Sequence, residues 1–179
     1  MRKLIESTLV SLDGVIGDPQ LWADEYFDEA AGELALQQLS VSDAMLMGRR
    51  TYEIFAATWP AYSGAYADRM NSMQKYVFSS TLKRAEWSNS AVISGDVTAA
   101  VDELKQQDGG DLVMYGHGQL GQALLEHQLL DEVRLWIHPV IVGRGMLLFR
   151  DGANATMKLV ATDTRANGVV VLTYRPAEA

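Results

Sequence analysis

Two adjacent arginines, Arg49 and Arg50, follow the apolar run 44–48 and precede a helical pattern. A guanidinium group carries several N–H donors in one plane, which suits phosphate or carboxylate oxygens. The formal net charge of the chain is −8, so a local pair of positive charges is unusual here. If the apolar run is a buried strand, the arginines lie at its carboxyl end, where parallel sheets bind their ligands. The pair therefore predicts an anion site.

The segment 115–121, YGHGQLG, places Gly116, Gly118 and Gly121 in the pattern G-x-G-x-x-G between a predicted strand and a predicted helix. Glycines let a pyrophosphate approach the backbone, and the first N–H groups of the helix attract its charge. In a Rossmann fold the motif occupies the first strand-to-helix turn, and an acidic residue ends the next strand. Here the motif comes late and the acidic residues 131–132 open the next strand, which argues against that fold. A turn that only allows close packing is the alternative.

Ser79 and Ser80 end another predicted strand. A dinucleotide with a 2′-phosphate needs guanidinium and hydroxyl donors for that phosphate, and open backbone for its pyrophosphate. The arginine pair, the two serines and the glycine turn together supply these groups. Arginine instead of an acidic residue at the ribose end favours NADP over NAD.

Metal chemistry is not predicted. His117, His127 and His138 lack the spacing of metal ligands, and the chain has no cysteine that could supply a thiolate or a disulfide. Between its two glycines, His117 either faces the cofactor or is an exposed loop residue.

Alternating apolar runs and helical patterns must position these residues. We predict strands at 3–10, 43–48, 75–80, 91–93, 111–116, 131–142, 156–164 and 168–176. We predict helices at 24–39, 50–57, 96–107 and 119–130. Strands separated by helices imply parallel crossovers, whereas the last two strands form an antiparallel hairpin. The expected fold is one α/β domain over residues 1–179, with a mixed, mostly parallel sheet of about eight strands flanked by helices.

Composition excludes several classes of protein. A length of 179 residues with 48% hydrophobic residues is typical of one globular domain. The negative net charge and the dispersed basic residues argue against nucleic-acid binding. No stretch approaches the roughly 20 apolar residues of a membrane span, and residues 6–8 interrupt the first apolar run before it could act as a signal peptide. We expect a cytoplasmic protein without a membrane partner.

At these residues the chain resembles the dihydrofolate reductase superfamily. MGRRTYE at 47–53 is similar to the family's strand-to-helix segment M-G-R-x-T-W/Y-E. VFSS at 77–80 is similar to the family's serine-containing strand end beside the adenosine of the cofactor. SLDGVIG at 11–17 resembles the loop that closes over the nicotinamide, and YGHGQL at 115–120 resembles its glycine pair. The resemblance spans nearly the whole chain and implies the superfamily's fold.

Two further segments point to one branch of the superfamily. IHPVIVGRGMLLF at 137–149 is similar to a segment in the reductase domain of the bifunctional riboflavin-biosynthesis deaminase/reductase. FAATWP at 55–60 resembles the stand-alone bacterial proteins grouped with that domain. The chain is thereby identified as a stand-alone member of this branch. It has no cysteine and hence no deaminase motif H-x-E with P-C-x-x-C.

The resemblance implies an NADPH site with a separate role for each part of the cofactor. For Arg50 an ordinary surface position remains open, and Thr51 could instead cap a helix. The implied residues are Ile16 and Gly17 over the nicotinamide; Gly48, Arg49, Arg50 and Thr51 at the 2′-phosphate and its neighbour; Ser79 and Ser80 at the adenosine; and Tyr115, Gly116, Gly118, Gln119 and Leu120 at the pyrophosphate and nicotinamide.

The substrate side departs from dihydrofolate reductases, which carry one acidic residue on the first helix after a W-x-x-P loop. Trp22 lies near that place without the proline. On a helix Asp24 would share a face with Phe27, and Asp28 would lie one turn further on. Both carboxylates are catalytic candidates; the alternatives are an N-cap or first-turn role for Asp24 and a solvated charge for Asp28. Folate reduction is not supported by this helix.

Trp22, Trp59 and Gly143 are the substrate-binding candidates. Trp59, with Tyr62 and Tyr66, could form an aromatic wall for a planar heterocycle, or these residues are core and loop anchors. Gly143 could approach a substrate phosphate, or it belongs to a bulge between strands.

The expected activity is hydride transfer from NADPH to a small heterocyclic substrate, with the 13–22 loop excluding water. The resemblance implies 5-amino-6-(5-phosphoribosylamino)uracil reductase-type activity of riboflavin biosynthesis. The alternatives are a dihydrofolate- or pterin-type reductase and a nucleotide-binding module without hydride chemistry. A homodimer is expected from Trp136, Ile137 and the following apolar run, and from the riboflavin-type relatives.

Overall fold

Strands and helices alternate along the chain in the computed structural model, which describes residues 1–177. The strands are β1 (Leu4–Ser11), β2 (Ser42–Gly48), β3 (Gln74–Phe78), β4 (Ser90–Ile93), β5 (Asp111–Tyr115), β6 (Glu132–His138), β7 (Met157–Thr164) and β8 (Val170–Pro176). The helices are α1 (Glu29–Ser40), α2 (Arg49–Thr58), α3 (Ala65–Ser72), α4 (Val97–Gln106) and α5 (Gly118–Glu126). No helix in this part of the chain is both long and apolar enough to cross a membrane.

The strands form one eight-stranded sheet in the order β4-β3-β2-β5-β1-β6-β8-β7. All pairs among β1 to β6 are parallel. β8 pairs antiparallel with β6, and β7 pairs antiparallel with β8. The mixed, mostly parallel sheet predicted from the sequence is therefore confirmed.

Alternate strand residues bury the two faces of the sheet. Leu46 and Met114 pack under α4 and α5 on one face. Met47 and Val113 pack on the other face, together with buried residues of α1, α2 and α3. Because both faces are covered, β2 and β5 carry continuous apolar runs at 44–47 and 112–114. Glu6 in β1 is a wholly buried exception.

Parallel topology brings the candidate residues together. The carboxyl ends of parallel strands lie at one edge of a sheet, and ligands bind in the crevice outside that edge. Arg49 follows β2, Ser79 follows β3, Gly116 follows β5 and the 12–18 loop follows β1. Segments far apart in sequence thus meet at one edge.

The first helix begins later than predicted. Residues Asp24–Tyr26 form a separate 3₁₀ turn, and α1 begins at Glu29. The Asp28 carboxylate accepts a hydrogen bond of 2.8 Å from the backbone N–H of Ala31, which makes Asp28 the N-cap. The expected helical face shared by Asp24 and Phe27 is therefore wrong, and the exposed Asp28 is also the cap of α1.

Other elements also differ from the prediction: β3 ends at Phe78, two residues before the predicted end, and α5 ends at Glu126, four residues before it. α3 was not predicted, because this short helix buries only Ala67 and Met70 and so gives a weak periodic signal. The strand predicted at 131–142 ends at His138. Pro139 follows and cannot donate a ladder hydrogen bond, which explains the early end.

Candidate functional site

A cleft of about 2090 Å³ lies along the carboxyl edge of the sheet. Pockets for one small ligand are typically about 300–1,000 Å³, so this cleft has room for a dinucleotide and a second ligand. Every residue that the sequence assigned to the cofactor lines it: Ile16, Gly17, Gly48, Arg49, Arg50, Thr51, Ser79, Ser80, Tyr115, Gly116, Gly118, Gln119 and Leu120.

Arg49 is held in place at one end of the cleft. Its Nε donates to Glu53 Oε1 at 2.6 Å, and its Nη1 donates to Thr81 Oγ1 at 2.8 Å. Thr81 belongs to the turn after β3, where its backbone N–H donates to Ser79 Oγ at 3.2 Å. The guanidinium group is thus fixed between α2 and this turn, beside the Ser79 hydroxyl. Thr81 was not among the predicted cofactor residues, although it is a third hydroxyl residue directly after Ser79 and Ser80.

Arg50 is held more loosely than Arg49. Its Nη2 lies 3.5 Å from Asp18 Oδ1, and the two side chains are 66% and 53% exposed. This contact links α2 to the loop after β1 and contributes little energy at such exposure. An anion could therefore replace Asp18 at small cost. Thr51 does not cap α2, because the N-cap is Gly48 and no side chain caps the helix.

The first residues of all five helices line the cleft. Asp28 and Asp96 cap α1 and α4. In contrast, α2, α3 and α5 have no side-chain cap. Their free N–H groups and positive dipole ends are suited to phosphate oxygens.

The three glycines of the G-x-G-x-x-G pattern have different functions. Gly116 and Gly118 have φ values of 72° and 56°, in the left-handed region that glycine adopts readily. A Cβ on Gly118 would meet no atom within 4 Å, so its surroundings are open to a ligand. A Cβ on Gly121 would lie 2.5 Å from His117 Nδ1 and 3.0 Å from Glu6 Oε2. The close-packing alternative therefore applies to Gly121.

A buried hydrogen-bonded pair lies beneath the glycine turn. His117 Nδ1 is 3.0 Å from Glu6 Oε2, and the two side chains are 2% and 0% exposed. Thr8 Oγ1 also donates to Glu6 Oε1 at 3.2 Å. His117 is thus not an exposed loop residue: it lines the cleft and is held from below by Glu6. The signal in the sequence was the position of Glu6, a charged residue within the first apolar run.

The loop after β1 is paired with a later segment of the chain. The backbone N–H of Ile16 donates to Met146 O at 2.8 Å, and the N–H of Leu148 donates to Gly14 O at 2.8 Å. A Cβ on Gly17 would lie 3.2 Å from Met146 N. Ile16 and Gly17 are thereby held at the cleft.

Asp13 fixes the turn that contains Gly143. Its carboxylate accepts hydrogen bonds from Ser11 Oγ at 2.7 Å, Val142 N at 3.0 Å and Gly143 N at 2.7 Å. These bonds, that of Ser11 foremost, lower the pKa of Asp13 to about 2. Because its N–H is bound to Asp13 and it does not line the cleft, Gly143 is placed in a structural turn and not against a ligand.

The remaining substrate and catalytic candidates separate into two groups. Asp24 and Trp59 line the cleft, whereas Asp28 and Trp22 do not. Trp22 Nε1 donates to Gly17 O at 2.9 Å, and its ring meets that of His138 edge-on at 5.5 Å. Trp22 therefore supports the loop after β1 from outside the cleft.

Aromatic side chains form one part of the cleft wall, which we call the aromatic chamber. Its members are Phe27, Trp59, Tyr62, Tyr66 and Trp136. The ring of Trp59 lies 5.3 Å from that of Tyr66 and 6.0 Å from that of Tyr62. Trp136, which we expected at a dimer surface, is 4% exposed and packs inside the chain.

Two tyrosine hydroxyls meet beside the aromatic chamber. Tyr66 Oη and Tyr115 Oη are 3.0 Å apart. Burial raises the pKa of Tyr66 to about 12 and raises the pKa of Tyr115 well above its usual value. Both phenols are therefore protonated at neutral pH and can donate hydrogen bonds. Burial also lowers the pKa of His138, whose imidazole is accordingly neutral near pH 7.

Comparison with known proteins identifies a family and a set of similar folds. The family model of the RibD C-terminal domain matches residues 2–171. The uncharacterized protein YyaP of Bacillus subtilis (strain 168) is 29% identical over 191 residues, which cover 97% of this chain and 94% of YyaP. The match thus extends over nearly the full length of both chains.

Solved structures at lower identity share the fold. A putative riboflavin biosynthesis protein from Shewanella sp. PV-4 has a TM-score of 0.76 at 20% identity, with 98% of this chain and 99% of that chain covered. A diaminohydroxyphosphoribosylaminopyrimidine deaminase/5-amino-6-(5-phosphoribosylamino)uracil reductase from Thermotoga maritima has a TM-score of 0.70 at 14% identity, with coverage of 98% and 57%. Dihydrofolate reductase from Enterococcus faecalis, complexed with NADP(H) and RAB-propyl, has a TM-score of 0.69 at 14% identity, with coverage of 98% and 97%.

Proposed function

The chain belongs to the RibD C-terminal domain family, and on that premise we propose that it is an NADPH-dependent reductase of a small heterocyclic substrate. The observation that carries the proposal is the meeting of Arg49, the Ser79 turn and the Gly116 turn in one cleft. These groups come from three separate strand ends and supply what a 2′-phosphorylated dinucleotide requires.

The phosphate-binding groups fit the cofactor. Arg49 uses Nε and Nη1 in contacts with Glu53 and Thr81, and a guanidinium group has five N–H donors in total. The remaining donors are available to a 2′-phosphate without reorganisation of the side chain. Arg50 would add a second positive charge, and the N-termini of α2 and α5 would hold the neighbouring phosphates.

The nicotinamide would lie between the Gly116 turn and the loop after β1. NADPH, when bound, supplies a hydride ion from carbon 4 of its nicotinamide ring. Ile16 and Gly17, fixed through Met146, would cover that ring and exclude water. The chain thus contributes orientation and a dry environment.

The aromatic chamber would hold the planar ring of the substrate, because flat apolar walls suit planar heterocycles. The riboflavin-type relatives support 5-amino-6-(5-phosphoribosylamino)uracil or a similar pyrimidine as the acceptor. A pterin is less well supported, because α1 packs Ala31 and Ala35 against Trp136, and the α1 carboxylate that lines the cleft, Glu29, is exposed to solvent.

Cofactor preference tests the proposal. The Arg49→Ala/Arg50→Ala double variant should lose at least about 10-fold in affinity for NADPH, because the loss of even one hydrogen bond to a charged group costs about 1.5–3 kcal/mol. Its affinity for NADH, which has no 2′-phosphate, should change less than about threefold. Arg84→Ala is the matched control, because Arg84 is 83% exposed and lies outside the cleft. Equal losses for NADPH and NADH would contradict the arginine assignment.

A nucleotide-binding module without hydride chemistry is the second candidate. The alanines that α1 packs against Trp136 favour it, since the α1 carboxylate at the cleft, Glu29, is exposed. Oxidation of NADPH, followed by its absorbance with pyrimidine and pterin acceptors, separates the two functions. Binding of NADPH without any acceptor-dependent oxidation would favour the nucleotide-binding module over the reductase.

A further inference from the structure

We propose that a row of hydrogen-bond donors beneath the aromatic chamber binds a carboxylate group of the second ligand of the cleft. The row consists of Ser7, Tyr115 and Arg134, and Arg134 is its charged member. The inference rests on the proposed function and deepens it, because it gives the ligand that meets the cofactor a chemical class. That class is an aromatic carboxylate, with its ring in the chamber and its carboxylate on the row.

The three residues of the row lie side by side on neighbouring strands. Ser7 of β1 is in register with Tyr115 of β5 on one side and with Arg134 of β6 on the other. All three line the cleft. Arg134 and Trp136 are two positions apart on β6, so their side chains lie on the same face of the sheet, with Arg134 further from the carboxyl edge. The row is therefore deeper in the cleft than the aromatic chamber.

The guanidinium group of Arg134 keeps one edge for a ligand. Its Nε donates to Glu132 Oε1 at 2.7 Å, and its Nη2 lies 2.6 Å from the same oxygen. Among the described residues, Nη1 has no hydrogen-bond partner, and this nitrogen stays open to solvent. The whole side chain is 14% exposed. A guanidinium group that binds one carboxylate through its Nε edge can bind a second one through the opposite edge, which carries Nη1.

The charge at the row favours an anion with a single negative charge. Glu132 is buried, and Arg175 Nη2 lies 3.1 Å from its other oxygen, Oε2. Two guanidinium groups thus share one carboxylate, which leaves one positive charge uncompensated. A dianion would exceed that charge in a place where an unpaired charge is costly. Water screens the carboxylates that line the cleft, all of which are exposed: Asp18, Asp24, Glu29 and Glu53.

Hydroxyl groups next to Arg134 add uncharged donors. Tyr115 Oη lies 3.0 Å from Tyr66 Oη, and one O–H satisfies this bond, which leaves the other free to donate. Burial raises the pKa of Tyr115 well above its usual value, and the positive charge of Arg134 opposes that rise. The guanidinium group is therefore close enough to act on this phenol. Ser7 places a third hydroxyl between them, so charged and neutral donors converge as a carboxylate requires.

Three naphthalene derivatives test the inference. 2-Naphthoate carries a carboxylate, 2-naphthamide is its neutral counterpart of the same shape, and 2-naphthyl phosphate is a dianion at pH 8. Calorimetric titration at pH 8, with NADP⁺ in excess so that the arginine pair at 49–50 is occupied, should show 2-naphthoate binding at least about 10-fold more tightly than either other compound. In Arg134→Met the preference for 2-naphthoate over the amide should fall below about threefold.

Two further variants separate binding from stability. Arg175→Met removes the other guanidinium group from Glu132, but Arg175 is 51% exposed and lies outside the cleft, so the preference should change less than about threefold. Ser7→Ala leaves both contacts of Glu132 intact and should weaken binding of 2-naphthoate, but not of 2-naphthamide, by at least about threefold. Circular dichroism shows whether each variant is folded, and if Arg134→Met is not, Ser7→Ala decides.

Four results would overturn the inference. These are equal binding of 2-naphthoate and 2-naphthamide, binding of 2-naphthyl phosphate as tight as that of 2-naphthoate or tighter, no binding of any of the three at millimolar concentration, and a preference that the deciding variant leaves unchanged. The compounds are also titrated without NADP⁺. If the protein does not bind NADP⁺, the proposed function fails, while the preference for the carboxylate and its loss in Arg134→Met still decide this inference.

Discussion

Substitution of Gly121 by alanine should destabilise the protein through the buried pair of His117 and Glu6. The added Cβ would lie 2.5 Å from His117 Nδ1, 2.9 Å from His117 Cγ and 3.0 Å from Glu6 Oε2. α5 cannot move away freely, because Leu124 on the same helix is fully buried in the core. The imidazole must therefore turn and lose its contact with Glu6.

The magnitude follows from two costs. Overpacking a core typically costs about 1–3 kcal/mol, and leaving a buried polar group without its hydrogen-bond partner costs about 1–3 kcal/mol. Taking an intermediate value for each cost, we expect Gly121→Ala to lower the free energy of unfolding by about 3 kcal/mol. For a chain of this size that corresponds to a fall in Tm of about 6–12 °C. Urea unfolding at pH 7 without ligand, followed by circular dichroism, measures the change.

Two further variants make the prediction specific. Gly118→Ala, whose Cβ would meet nothing within 4 Å, should cost only about 1 kcal/mol of backbone strain. In a His117→Ser background the imidazole is gone, so Gly121→Ala should cost about 1 kcal/mol or less. Equal costs at Gly118 and Gly121, or the full cost of Gly121→Ala in the His117→Ser background, would refute the reasoning.

Two other stability measurements test particular contacts. Lys75 Nζ is buried and donates to three backbone carbonyls, and burial lowers the pKa of Lys75 from 10.5 to about 8. Between these two pKa values the unfolded chain binds more protons than the folded chain, so the free energy of unfolding should rise as the pH rises from about 8 to about 10.5. Urea unfolding at several pH values should show that Lys75→Met removes this rise. The same rise in the Lys75→Met variant would contradict the prediction. Asp28→Ala should lower the free energy of unfolding by about 1 kcal/mol, because α1 loses its cap. Asp24→Ala removes no cap hydrogen bond and should lower it by less than about 0.5 kcal/mol in the same assay. A larger loss for Asp24→Ala than for Asp28→Ala would contradict the assigned cap.

The cofactor side of the cleft could be predicted because its signals are local. Arg49, Ser79 and Gly116 each stand directly after an apolar strand. Parallel connection of those strands is enough to bring their ends to one edge. No long-range contact had to be guessed, so short motifs predicted which residues line the cleft.

The start of α1 could not be decided from the sequence, because Asp24 and Asp28 are both good N-cap residues. A distant residue distinguishes them: Asn167 Nδ2 donates to Asp28 Oδ2 at 3.1 Å and to Tyr26 O at 2.8 Å. These bonds hold the chain in the arrangement that makes Asp28 the cap.

Contacts between side chains that are far apart in the sequence could not be predicted either. Glu6 and His117 are separated by 111 positions, and no local pattern pairs a carboxylate in one strand with a histidine after another. The apolar run around Trp136 is compatible with an interface or with a core, and the structure places Trp136 in the core. The homodimer stays a prediction, which light scattering can test.

Calorimetric titration of the unaltered protein with NADPH and, separately, with NADH tests the central claim most directly. The arginine site and the uncapped N-termini of α2 and α5 predict binding of NADPH at least about 10-fold tighter than NADH, a difference of about 1.4 kcal/mol. Equal affinities would contradict the 2′-phosphate site. Failure to bind either nucleotide would contradict the account of the cleft as a cofactor site.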